Sequence, residues 1–312
     1  MPLFPDNSTI HGARRFLALA VMLGATASTA SAGGPSIGQF ELKTLESAPG
    51  YMEFQSQNAW SFGQPDRESA LVDGEQLYDE NSVIKQRHAL ELEMGFTSFL
   101  KMRVGIEYER ERLEEPLTLA DAEDFGPLKL DELGAEVIGI FIPREGDGFG
   151  LGAVVEVERP LEREEQMSVV MGPIFEYASG PWFVAALPLL VHNFGGQPDD
   201  DGIKDNKWDF AYAAQLAYTL NEEWMFAIEA YGTVERVGNS GDRGEAALAF
   251  GDHDQHRIGP IVYYTYDLGR DLVVQPNSAN DGEEEASELT VGLGLLAGLN
   301  ADTPDATLKM SV

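Results

Sequence analysis

Residues 83–112 read VIKQRHALELEMGFTSFLKMRVGIEYERER, two runs joined by a tight connection at Thr97-Ser98. In the first run Ile84, Leu90, Leu92, Met94 and Phe96 share one parity, and Lys85, Arg87, Glu91 and Glu93 the other. After the turn Met102, Val104, Ile106 and Tyr108 alternate with Lys101, Arg103, Glu107, Glu109 and Glu111. Successive side chains of a strand point to opposite faces, so the stretch predicts a hairpin with one apolar and one charged face. Each run exceeds the roughly five or six residues of a soluble strand and matches the ~9–11 of a tilted membrane-spanning one. Gln86 and His88 interrupt the apolar row at the end away from the turn, where such a strand meets headgroups.

The same alternation recurs on both sides of this hairpin. Residues 51–62 form the first span, with Ser56 and Asn58 in its apolar row. Residues 133–142 and 149–158 pair across Glu145-Gly146-Asp147-Gly148, and 166–177 with 182–192 across Ser179-Gly180-Pro181. Residues 207–220 and 224–237 turn at Asn221-Glu222-Glu223; 255–268, 289–299 and 306–312 follow. Long connections at 63–82, 113–128, 195–206 and 238–254 alternate with tight turns, as in outer-membrane barrels with long external loops and short periplasmic turns. Aromatics gather at strand ends (Trp60, Phe96, Tyr177, Trp182, Trp208, Tyr218, Trp224, Tyr266), as interfacial girdles require. The fold expected is all-β, an antiparallel transmembrane β-barrel of about 12 strands. Pro173, Pro188 and Pro260 fall inside spans and count against it, because a closed barrel has no free edge to hide a lost ladder bond.

No apolar run reaches the ~20 residues of a membrane helix. The short run 17–27 follows Arg14-Arg15 and leads into Ala30-Ser31-Ala32, the pattern of a secretory signal peptide. The organisation expected is a signal peptide at 1–32, a periplasmic lead at 33–49 and the barrel at 50–312, placed in the bacterial outer membrane. The chain carries a formal charge of −32 and no cysteine. Such acidity excludes nucleic acid as a partner, since phosphate binding needs a basic footprint. The partners expected are outer-membrane lipid and lipopolysaccharide, the outer-membrane assembly machinery and small solutes.

The inward parity collects Lys85, Arg87, Glu91, Glu93, Lys101, Arg103, Glu107, Glu109, Glu136, Glu156, Asp209, Glu229 and Arg257, which must face water or one another. Two outcomes compete. The basic groups pair with the glutamates and close the lumen, or the carboxylate excess lines a water-filled path for cations or polar solutes.

Glu53-Phe54-Gln55-Ser56-Gln57-Asn58-Ala59-Trp60, Arg87-His88-Ala89-Leu90-Glu91-Leu92 and the terminal stretch from Gly292-Leu293-Gly294-Leu295-Leu296 to Thr303-Pro304-Asp305-Ala306-Thr307-Leu308-Lys309 resemble proteobacterial outer-membrane barrels of the transporter type. These are distantly similar to the barrel family of phenol-degradation operons. The resemblance implies a barrel and the passage of small solutes. Such barrels end in an aromatic residue, whereas this sequence stops at Val312 within a strand-like stretch.

Nothing in the sequence marks an enzyme, a resident metal or a cofactor. His88, His192, His253 and His256 accompany no G-x-S-x-G motif. His253 and His256 beside Asp252 and Asp254 suit a divalent metal on residue type, but a solvated loop is the plainer reading. Asp199-Asp200-Asp201-Gly202 lacks the alternating ligands and terminal glutamate of a calcium loop.

Overall fold

The computed structural model describes residues 40–63, 68–78, 85–111, 125–144, 146–161, 166–195, 206–243, 245–269 and 287–312. The expected signal peptide, Asp199–Asp201 and the stretch 270–286 lie outside them. Twelve antiparallel strands close into a barrel. In chain order they are β1 (Met52–Phe62), β4 (Lys85–Thr97), β5 (Leu100–Glu111), β6 (Lys129–Ile142), β7 (Gly148–Pro160) and β8 (Gln166–Ser179), then β9 (Trp182–Gly195), β10 (Trp208–Thr219), β11 (Trp224–Val234), β12 (Gln255–Gly269), β13 (Ser287–Gly298) and β14 (Ala306–Ser311). Neighbours in sequence pair, and β1 closes the ring between β4 and β14. Residues 63–82, read as one loop, contain a separate ribbon of β2 (Ser69–Val72) and β3 (Glu75–Tyr78). A six-residue helix, α1 (Glu245–Phe250), sits in the loop before β12.

The deciding hairpin forms with its turn one residue later than expected, at Ser98-Phe99, and Leu90 faces Ile106 and Met94 faces Met102. Phe54, Leu90, Val104, Val137, Val155, Leu190, Leu216, Phe226 and Leu293 are all exposed, giving the barrel an apolar outer belt. Two rows of rings bound that belt. Trp182 meets Tyr218 at 4.9 Å and Trp224 meets Tyr264 at 4.7 Å towards the tight turns. Trp60 meets His88 at 5.4 Å and His192 stacks on Trp208 at 4.2 Å towards the long loops. Amphipathic rings at both edges of an apolar band mark the two faces of a bilayer.

The prolines are accommodated without bulges. Pro173 and Pro188 fall opposite each other, in the gap between the paired Met171–Leu190 and Phe175–Ala186. Pro260 falls in a similar gap between Ile258–Ala297 and Ile261–Gly294. The lost ladder bonds of Pro173 and Pro188 are therefore concentrated at a single place. Bulges occur elsewhere: Asp131 is left over where Glu107 pairs with Glu132 and Tyr108 with Leu130.

Candidate functional site

The inside of the barrel holds the chain's own N-terminal segment. Phe40, Leu42 and Leu45, from the stretch expected as a periplasmic lead, are at most 8% exposed and join the inward apolar side chains. That apolar wall is made by Ile138, Val154, Val170, Ile174, Leu187, Leu189 and Val191. The sequence reading missed it, having counted only the charged inward positions. Leu45 rests on Gly150 and Gly152 of β7, where any Cβ would collide with its methyl groups. Its backbone N–H donates to Glu176 Oε1 at 2.8 Å. At the turn end, Ser47 Oγ donates to the Thr97 carbonyl at 2.7 Å, and Gly50 N–H to the Gly95 carbonyl at 3.0 Å. Phe40 lies edge-on to Tyr231 at 5.5 Å and under the Arg257 guanidinium at 4.8 Å. The segment thus crosses the lumen from the β11–β12 wall to the β4–β8 wall.

Most of the expected inward charges gather around it in three groups. In the first, Lys43 pairs with Glu136, with Glu156 at 3.1 Å and with Glu41 at 3.3 Å. Arg103 binds Glu41, and reaches Glu93 at 3.0 Å and Glu91 at 3.5 Å; Lys101 holds Glu93 at 2.7 Å and donates to Thr44 Oγ1 at 3.1 Å. All are buried. In the second, Arg87 lies 3.3 Å from Glu109 and 3.8 Å from Glu107. In the third, Glu229 accepts from Gln215 at 2.7 Å, from Lys309 at 2.8 Å, and from the Tyr231 and Tyr263 hydroxyls. Asp209 stands apart at the loop end, accepting from Asn193 at 2.7 Å and from the Arg236 backbone N–H at 2.8 Å. Arg257 adds a bond to Gln255 at 2.8 Å. Lys85 lies on β4, but its side chain is outside the described part of the structure.

Above the segment, towards the loops, a cavity is walled by Glu91, Glu107, Glu132, Glu136, Glu156 and Glu158, with Arg103. Unit charges ~4 Å apart interact by about 4 kcal/mol at an effective dielectric of ~20, so carboxylates this close strongly favour a nearby cation. Glu132 was not anticipated because the expected span began at residue 133, whereas β6 starts at Lys129 and Glu132 shares the inward parity of Glu136. At the tight-turn end Glu46 of the lead meets Arg144 at 3.0 Å, and Arg144 also donates to Glu176 at 3.0 Å. Burial pushes the Glu46 carboxyl up to about 7, against the pull of Arg144 and with the push of Glu176. His256, considered above as a metal ligand, instead stacks on Tyr212, whose hydroxyl lies 3.0 Å from its Nδ1. His253 lies 3.9 Å from Asp302.

No protein-family model matches the chain, and no curated protein sequence does. Among solved structures the chain is similar to the COG4313 outer membrane channel from Pseudomonas putida F1, at 14% identity and a TM-score of 0.52, over 87% of this chain and 98% of that one. It also aligns with the NanC porin at 8% identity and a TM-score of 0.49, over 83% of this chain and 98% of that one. The likeness at 14% identity establishes the fold. A closed barrel with a ring-bounded apolar belt satisfies its backbone only within itself, the requirement for spanning lipid with strands. The chain is a β-barrel of the bacterial outer membrane.

Proposed function

We propose that this barrel is a passive channel for small cationic or polar solutes, with its own N-terminal segment seated in the path. The observation that carries this reading is the cavity of six glutamates and one arginine on the β4–β7 wall. Carboxylate excess in a narrow aqueous path attracts cations and repels anions. Among the described residues no catalytic constellation stands in the lumen, and the side chains are read as passage and packing groups. Outer-membrane lipid surrounds the belt; lipopolysaccharide and the assembly machinery remain the partners expected of such a barrel.

The test is ion current through the refolded mature protein in a planar bilayer under a salt gradient. Cation-selective steps that weaken when Glu107 and Glu109 become Gln support the proposal. Silence from protein whose heat-modifiable gel migration proves a folded barrel overturns it. A second reading has its own support: Lys43, Lys101, Lys309 and Arg103 are at most 3% exposed and all ion-paired, as in a lumen closed by salt bridges. A closed barrel of that kind would act in structure or in surface interaction through its acidic loops.

A further inference from the structure

We propose that Arg257, inside the barrel on β12, is a binding subsite for the carboxylate of a small solute. The side chain is 7% exposed. Its contacts are one hydrogen bond, from Nη2 to Gln255 Oε1 at 2.8 Å, and the Phe40 ring beneath the guanidinium at 4.8 Å. A guanidinium carries five N–H donors, so most go unused here, and the enclosed Nε has no acceptor. Lys43, Lys101, Arg103, Arg236 and Lys309, the other buried cations among the described residues, each meet a carboxylate. Arg257 meets none among those residues. A buried charge is costly unless it is paired, so this is the point in the lumen where a negative group is missing.

The geometry selects the ligand. Phe40 lies below the guanidinium and Gln255 takes one N–H, which holds the group in place and leaves Nε and Nη1 unpartnered. Nε and a neighbouring Nη form the planar fork that grips both oxygens of a carboxylate. A phosphate ester carries about −1.5 to −2 at neutral pH and calls for a second cation. Lys309 does not supply one, because it holds Glu229 at 2.8 Å. A singly charged carboxylate matches the one guanidinium. The glutamate cavity lies on the far wall, since β6 is six strands from β12 in the ring of twelve. A polar solute with an ammonium beside its carboxylate therefore meets an opposite charge on each wall.

This subsite goes beyond the channel reading, and its test reads binding without current. Saturation-transfer NMR from the refolded barrel to acetate is compared with acetamide, the uncharged molecule of similar shape. Transfer is expected to acetate and not to acetamide. It should fall about tenfold in Arg257→Met, the loss of one charge-assisted pair, and less in Arg257→Lys, which keeps the charge without the fork. Equimolar chloride or inorganic phosphate should leave it in place. Because Arg257→Met removes a buried charge that has no partner, the variant should fold and resist urea at least as well as the parent. Transfer undiminished in Arg257→Met, or abolished by equimolar chloride or phosphate, overturns the proposal. So does a variant that fails to fold or unfolds at lower urea, which would make Arg257 a structural group.

Discussion

Lys43 Nζ lies 3.1 Å from Glu156 Oε2, joining the N-terminal segment to β7 across 113 residues of sequence, with both side chains almost fully enclosed. Glu136 and Glu41 share the same ammonium, so three carboxylates meet at one cation, and Arg103 also holds Glu41. Removing one partner of a buried pair costs about 3–5 kcal/mol, because the remaining charge is stranded. Lys43→Met is expected to lower barrel stability by about that amount in urea unfolding. Adding Glu136→Gln and Glu156→Gln to that variant should recover most of the loss. A single variant as stable as the parent would show that the segment does not anchor the wall.

The seat of Leu45 rests on Gly150 and Gly152 having no side chain. At Gly152 a Cβ would run into Leu45 and come within 2.8 Å of the Gly139 carbonyl, a backbone atom that cannot rotate away. Gly152→Ala should expel Leu45 at a cost of about 1–3 kcal/mol, the usual range for overpacking. The barrel strands stay paired, while residues 40–48 become open to protease added from the turn side. Resistance to cleavage equal to the parent's would count against this packing.

Glu46 makes the seating depend on pH. Its carboxyl titrates near 7 when the segment is seated, above its ordinary value of 4.5. The seated form therefore binds more protons than the released form between about pH 4.5 and 7. The stabilisation is full below that window and is lost as pH rises through about 7. Arg144, Lys101, Glu176 and Glu53 are the charged groups acting on it. Hydrogen-exchange protection of residues 40–48 should fall between pH 6 and pH 8 in the parent, and Glu46→Gln should flatten the change. A rise in protection over the same interval would contradict the assignment.

The barrel itself was legible because β4 and β5 carry strict alternation, with Glu91, Glu93, Arg103 and Glu107 all on one parity. On β8 and β9 that signal fades: outward Val169 and Met171 and inward Val170 and Ile174 are all apolar. Period two cannot assign a face when both faces are apolar, so the apolar wall stayed hidden. The lumen role of residues 40–48 was hidden for a different reason. Phe40, Leu42 and Leu45 are interspersed with Glu41, Lys43 and Glu46 over a short run, and their burial depends on partners more than a hundred residues away, such as Gly152 for Leu45 and Tyr231 for Phe40. Glu132 escaped notice because the apolar alternation becomes readable only from Leu133, whereas the strand begins at Lys129.

The last expectation concerns Lys309, which ties the short strand β14 to β11, three strands along the wall. Its ammonium meets Glu229 at 2.8 Å and the Tyr231 hydroxyl at 2.9 Å, with both charged side chains at most 1% exposed. Glu229 keeps Gln215, Tyr231 and Tyr263 as donors when the lysine is removed. Lys309→Met should therefore fall at the low end of the buried-pair range, about 3 kcal/mol. The double variant Lys309→Met with Glu229→Gln leaves no stranded charge and should be more stable than the single one. Residues in contact couple by about 0.5–3 kcal/mol, and a double-mutant cycle in urea measures that coupling. Additive losses would mean that the two side chains stabilise the barrel independently. Coupling would show that the charge pair, rather than the packing of either chain alone, holds β14 in the ring.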